Sequence, residues 1–191
     1  MAARSVYIPE SQYLEAERRA QTKSEYLAGQ VFAMAGASRG HNRITFNLGG
    51  LLYTALRGRA CEAYIGDMRV KVAEASAYFH PDVVVVCGQP QFEDEQEDNL
   101  LNPTVIIEVL SPSTEEFDRS VKFFAYQKLP SLREYLLVSQ HRMCIEHFVR
   151  QPDGQWVQRE YTRAEQVIHL ESANIDLPVQ AVYEGVTFAP Y

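Results

Sequence analysis

Three features of the sequence predict a mixed α/β fold in which helices are layered on a central sheet. Two nearly continuous apolar runs, PDVVVVC (81–87) and TVIIEVL (104–110), read as strands covered on both faces. Ile44, Leu48, Leu51, Leu52, Ala55 and Leu56 recur at helical spacing between Gly40 and Gly58. The central order is helix, strand, strand, strand, helix, strand, which suits a mixed sheet between helical layers. A chain of 191 residues is long enough for one well-buried core and short for two, so a single domain over 1–191 is expected.

From the N-terminus, PESQYLEAERRA (9–20) has Pro and Glu at its start and Arg at its end, the charge order of a short helix. EYLAGQVFAMAG (25–36) places Ala28-Gly29 between two apolar arms and reads as a hairpin. After the 40–58 helix, residues 61–72 and 77–87 read as two strands joined near Glu74-Ala75-Ser76, and 104–110 as a third. A helix is expected from Thr114 to about Lys128, with Thr114 as cap, Glu115 and Glu116 in the first turn and Pro130 beyond its end. Residues 133–139 resume a strand. In the tail, MCIEHFV and QWVQREY flank the turn signal Pro152-Asp153-Gly154 and form peripheral sheet.

The composition, 46% hydrophobic and 23% charged, is that of an ordinary globular protein. No leader-like segment or apolar run long enough to cross a bilayer is visible, so neither export nor a membrane partner is expected. Cys61, Cys87 and Cys144 are odd in number and without a CxxC pair. That argues against a disulfide framework and a thiolate zinc site, and for the reducing cytoplasm. A net charge of −7 argues against bulk coating of nucleic acid. Five acids, Glu93, Asp94, Glu95, Glu97 and Asp98, fall in one run that reads as a solvated loop, leaving the remaining surface nearly balanced.

The chemistry is expected where the apolar strands carry carboxylates. Glu108 is flanked by Val105, Ile106, Ile107, Val109 and Leu110, and an unpaired buried carboxylate costs several kcal/mol, on the order of the desolvation of a buried ion. Asp82 stands behind Pro81 at the entrance of the neighbouring run. If the strands are adjacent, two oxygen donors converge at one sheet end, a set suited to Mg²⁺ or Mn²⁺. The alternative for each acid is a salt bridge to Lys or Arg.

PDVVVV, IIEVLSPST, DRSVKFFAY and LPSLREYLLV, with the upstream EYLAGQVFAMAGASRGHNRI, resemble the Uma2 family of the PD-(D/E)XK nuclease superfamily over most of the chain. The resemblance implies a restriction-endonuclease-like mixed β-sheet core flanked by helices, with additional N-terminal and C-terminal β-hairpins. It implies a metal-dependent endonuclease that hydrolyses phosphodiester bonds in DNA, with Asp82 and Glu108 binding Mg²⁺ or Mn²⁺ and Glu25 as a further acid, on the metal directly or through water. The superfamily pattern places Lys two residues after the Glu, where this chain has Leu110, and the resemblance points to Lys122 as the replacement cation. Asp118 and Lys122 also form an i, i+4 pair, on most helices a surface ion pair. Glu25 read as a surface acid at the hairpin end is the alternative to its metal role.

His41 is a candidate general base, phosphate contact or helix-start residue, and Tyr126, one turn beyond Lys122, a candidate substrate contact or core aromatic. Ser111 and Ser113 lack a partner His and read as a structural turn. Two functions compete: a metal-dependent endonuclease, and a nuclease-fold module that has lost turnover and binds protein or nucleic acid. The second is favoured by Leu110 and the acidic charge. Small size, the resemblance and the need to span duplex DNA lead to the expectation of a homodimer. If Lys122 does not face the carboxylates, Arg69 or Lys71 is the next candidate cation.

Overall fold

In the amphipathic helix of the sequence, burial falls on Ile44, Leu48, Leu52 and Leu56, one residue per turn on one face, so the helix must lie lengthwise on a sheet. In the computed structural model, which describes residues 6–188, it does so as α2 (Arg39–Leu56). The Ser38 hydroxyl accepts from the His41 amide at 3.1 Å and caps its start. Gly58, at φ +73°, turns the chain away at its end. Before it come α1 (Glu10–Glu17) and the hairpin β1 (Ser24–Leu27) and β2 (Gln30–Ala33), turned through Ala28 and Gly29, both at positive φ.

Each of the two long strands expected next is broken in two. Residues 61–72 form β3 (Cys61–Ile65) and β4 (Arg69–Val72); residues 77–87 form β5 (Ala77–Phe79) and β6 (Val83–Cys87). The breaks lie at Gly66, which takes φ +75°, and at His80-Pro81-Asp82, where proline cannot donate to a ladder. Consequently β4 and β5 join a five-stranded sheet in the order β2-β1-β5-β4-β7, with β7 being Asn99–Leu100. In turn β3 and β6 join a six-stranded sheet in the order β11-β10-β9-β8-β6-β3. Its other strands are β8 (Val105–Leu110), β9 (Glu134–Ser139), β10 (Ile145–Arg150) and β11 (Trp156–Tyr161), with β8 and β9 parallel and β6 and β8 antiparallel. The tail hairpin is thus the edge of the main sheet. A separate pair, β12 (Val167–Leu170) and β13 (Ile175–Pro178), leads into α5 (Val179–Val182).

Strand alternation sorts the core. Val83, Val85, Val105, Ile107 and Val109 face α2, whereas Val84, Val86, Ile106 and Leu110 face the opposite layer with Tyr126 and Tyr135. That layer contains the 115–126 helical segment, which runs as α3 (Glu115–Phe117), a π-turn at Asp118–Lys122 and α4 (Phe123–Tyr126). Thr114 makes no side-chain cap to it, contrary to expectation; its hydroxyl lies 2.9 Å from Ser111 Oγ instead. The wider π-turn leaves both Asp118 and Lys122 buried.

Two further expectations are corrected. Cys61 and Cys87, opposite each other on β3 and β6, form a disulfide, which removes the ground on which a reducing compartment was inferred. The acidic run is a clamp and not merely a solvated loop: Arg18 bridges Asp94 and Asp98, Arg69 pairs with Asp98, and Lys71 binds Glu93. No helix among the described residues is long and apolar enough to cross a membrane.

Away from these elements, Glu134 at the start of β9 is buried against His147 Nε2 at 2.6 Å and accepts the Ser172 amide at 2.8 Å. Burial pushes its carboxyl up, but the hydrogen bonds from His147 and Ser172 outweigh burial and hold it below the usual Glu value. A lowered folded pKa contributes stability above the ordinary Glu range that is lost as pH falls through the folded value. Glu134→Gln is therefore expected to lower the Tm at pH 7 and to differ progressively less from wild type as the pH falls below about 4.3, the ordinary Glu value. Thermal melts followed by circular dichroism across that range check this; a difference that does not narrow in acid contradicts it.

Candidate active site

The pairing of β6 with β8 sets the site. Val83 opposes Ile107 and Val84 opposes Ile106, so the same register brings Asp82, just before β6, opposite Glu108. Both side chains leave the sheet on the face away from α2, the side of Val84, Ile106 and Leu110. Asp82 Oδ2 accepts the Val109 amide at 2.7 Å, and Glu108 Oε2 lies 3.4 Å from the Asp82 amide. The two carboxylates thus sit at one end of the main sheet, Asp82 held by the Val109 amide and Glu108 by the Asp82 amide.

Glu108 is buried, yet it is not orphaned. Lys122 Nζ stands 3.3 Å from Glu108 Oε1, 2.8 Å from Glu25 Oε1 and 3.0 Å from Asp118 Oδ1, with its side chain only 4% exposed. The contact with Asp118 is an ion pair without hydrogen-bond alignment, since Asp118 Oδ1 has no hydrogen-bond partner. The Tyr126 hydroxyl donates to Glu108 Oε1 at 3.3 Å, and the Phe79 ring lies 5.8 Å beneath the ammonium. Glu25 reaches this point because β1 pairs with β5, and its Oε1 also accepts the His80 amide at 3.0 Å. His80 itself is buried, and that burial, reinforced by Arg69, pushes its pKa down to about 4.

The electrostatics follow from crowding of charged groups in a buried space. Burial pushes Glu108 well above the usual carboxylate range; Lys122 opposes this, while Asp118, Asp82 and Glu25 add to it. Burial likewise raises Glu25 against the pull of Lys122. For Lys122, burial alone would favour the neutral amine, but Glu108, Glu25 and Asp118 outweigh it and hold the ammonium well above the ordinary lysine range. Asp82 differs from the others in facing solvent, with 20% of its side chain exposed. His41 Nε2 stands 3.2 Å from its Oδ2.

All of the candidates from the sequence lie in or beside this cluster. Glu108 and Glu25 meet on Lys122, and Asp82 joins them through its backbone amide on Glu108; His41 reaches the cluster through Asp82, and Tyr126, fully buried, touches Glu108. Leu110, in the usual lysine position, points to the same face as Glu108 but packs into the core there. Arg69 and Lys71 are committed to the acidic run. What sequence reasoning missed is the third acid on the ammonium: Asp118 reads as a surface partner of Lys122, and only a π-turn in an apolar layer takes both inward. Missed too is Gln140, whose side chain meets the capping Ser38 while donating to Leu110 O at 2.8 Å, and no local signal marks it.

Two carboxylates at the end of a mixed sheet, with a lysine delivered beside them, are the features of a restriction-endonuclease-like protein. The chain belongs to the Uma2 family, whose model, described as "putative restriction endonuclease", matches residues 10–180. Among its relatives, protein sll1609 of Synechocystis sp. is 42% identical over 147 residues, covering 77% of this chain and 83% of that protein. A second Synechocystis sp. protein, slr1290, is 34% identical over 177 residues, 93% and 92% of the two chains. In fold, the chain is similar to a crystal structure of a "putative nuclease belonging to DUF820" from Anabaena variabilis, with a TM-score of 0.76 at 14% identity over 94% of this chain and 99% of that one.

Removing the ammonium leaves buried carboxylates facing one another. Lys122→Met is expected to cost on the order of 3–5 kcal/mol, as for breaking a buried ion pair. A carboxyl whose folded pKa lies above its ordinary value binds its proton more tightly when folded, so stability falls as pH rises through the raised value. The penalty should therefore be smaller at pH 5 than at pH 8 in urea unfolding. An equal loss at both values, or none, would place the ammonium elsewhere.

Proposed function

We propose that the protein is a metal-dependent endonuclease that hydrolyses phosphodiester bonds in DNA. The observation that carries this reading is the pairing of a solvent-facing Asp82 with a buried Glu108 at the sheet end, beside Lys122. The residues fit a hard divalent ion. Their donors are oxygens, Asp82 Oδ1 accepts no hydrogen bond among the described residues, and several buried carboxylates share one ammonium. No group of three His, Cys, Asp or Glu residues among those described is arranged to hold a metal by itself. The oxygen-only donors of Asp82 and Glu108 suit Mg²⁺ or Mn²⁺, which are bound through one or two carboxylates with water and substrate phosphate completing the shell.

Asp82 and Glu108 would hold the ion, with Glu25 beside them. When bound, it supplies Lewis acidity toward the phosphate and a more acidic water. Lys122 offsets the charge that develops on the phosphate oxygens and opposes the upward push of burial on Glu25 and Glu108. Tyr126 fixes the orientation of Glu108 through Oε1, leaving Oε2 toward Asp82. His41 stands beside Asp82 with Nε2 on Oδ2 and Nδ1 buried, and in this reading it orients the Asp82 carboxylate at the edge of the site. The alternative of a module without turnover drew on Leu110 and the acidic net charge; against the first, Lys122 brings a cation beside the carboxylates from another element.

Supercoiled plasmid incubated with the protein and Mn²⁺ is expected to be nicked or linearised, and EDTA should stop it. Asp82→Ala and Glu108→Gln should each lower the rate by ~10²-fold or more. In calorimetric titration, Asp82→Ala should also lose Mn²⁺ binding while keeping its circular dichroism spectrum. Variants that cut like wild type sink the residue assignment; Mn²⁺ binding without cleavage of plasmid, linear or single-stranded DNA favours the module without turnover.

A further inference from the structure

From Leu27 through Cys61 the chain contains no Asp or Glu, although its net charge is −7, and that stretch carries Arg39, Arg43, Arg57 and Arg59. It includes the whole of α2. The helix buries Ile44, Leu48, Leu52 and Leu56 against the sheet, so by helical periodicity Arg39, Arg43, Phe46, Tyr53 and Arg57 share the opposite face. Two aromatic rings stand out from it: Phe46 is 69% exposed and Tyr53 73%. Arg43 lies 5.7 Å over the Phe46 ring and donates to Glu184 O at 3.0 Å, which fixes the guanidinium beside Gly185. Arg39, Asn42, Arg43, Phe46 and Gly185 line a cavity of about 540 Å³. Between the rings, Gly50 adds no side chain, and a Cβ built there would meet only open space.

We propose that this outer face of α2 is a binding track for single-stranded nucleic acid. The inference rests on the nuclease reading of the neighbouring site and names the form of substrate strand that reaches it. Guanidinium groups interleaved with exposed aromatic rings are the chemistry that holds a phosphate chain while unpaired bases stack. Phe46 and Tyr53 are two helical turns apart, about 10 Å along the axis, which gives two stacking platforms on one line. Duplex DNA offers phosphates but no free base faces, so it would leave both rings unused. A second copy of the chain fits poorly: a twofold antiparallel contact sets Arg43 toward Arg57 of the other copy, a parallel one sets like on like, and α2 has no acid to neutralise either. The first turn of the same helix carries His41 beside Asp82. A strand leaving the site therefore needs to cross only the end of α2, a body about 10 Å wide, to reach the track.

The test is binding without cleavage. Fluorescence anisotropy of the full-length protein in EDTA, with a labelled oligo-dT 20-mer and a 20-base-pair duplex over a range of salt, separates the two forms. The dT strand is expected to bind more tightly than the duplex. Phe46→Ala should weaken dT binding by about fivefold or more, as for loss of one stacked base, while changing duplex binding less than about twofold. Arg39→Ala with Arg43→Ala should weaken dT binding about tenfold and flatten its salt dependence by roughly 0.7 per lost phosphate contact. Since Arg43 also holds the Glu184 carbonyl, Arg39→Ala alone is the control that must keep the flattened salt response with an unchanged melting temperature. No binding of dT, binding indifferent to Phe46, or a dimer in sedimentation that Phe46→Ala dissociates overturns the proposal. Plasmid cleavage by a protein that fails these binding tests leaves the nuclease reading standing; the reverse outcome leaves only the track.

Discussion

The Lys122 ammonium, enclosed by Glu25, Glu108 and Asp118, is the interaction on which the organisation of this molecule depends. It joins three elements remote in sequence: the hairpin strand β1, the central strand β8 and the π-turn before α4. Burying any one of these charges by itself would cost several kcal/mol. Each is tolerable only because the others are present. The five-stranded sheet, the six-stranded sheet and the helical layer therefore cannot be repositioned independently without exposing an unpaired charge to an apolar environment.

That arrangement divides the carboxylates by role. Glu25, Glu108 and Asp118 are committed to the ammonium in the interior, whereas Asp82 is held by a backbone amide and looks outward. A site built this way is held by its own charges, because the lysine offsets the carboxylates that surround it. On β8, Leu110 completes the layer around Tyr126, and the cation arrives from a helix that widens into a π-turn to bring it in.

Charge is partitioned on the outer surface as well. The acidic run is drawn back onto Arg18, Arg69 and Lys71, tying the loop before β7 to α1 and β4. Much of the chain's negative charge is thereby held by the five-stranded sheet, and α2 is left with arginines alone. A negative protein can in this way present a positive face where a polyanion would approach, which is why a net charge of −7 is a weak guide to partners.

The sequence by itself determined the class of fold, α2, the first hairpin and the two apolar strands, because periodicity and turn chemistry are local and each element's burial is written in its own residues. It also marked Asp82 and Glu108, since a carboxylate inside an apolar run conflicts with its surroundings and needs a reason. The family resemblance singled out Lys122 and Glu25. Only tertiary structure decided that residues 61–72 and 77–87 each divide between two sheets, for a positive φ at Gly66 and the reach of Pro81 act on strand direction and leave the apolar pattern almost unbroken. It likewise decided that Cys61 faces Cys87, that the acidic run grips Arg18 and Arg69, and that Asp118 turns inward with Lys122. Each of these is a pairing between residues whose local sequence is compatible with exposure, and the partner that makes burial favourable is supplied only when distant strands come into register.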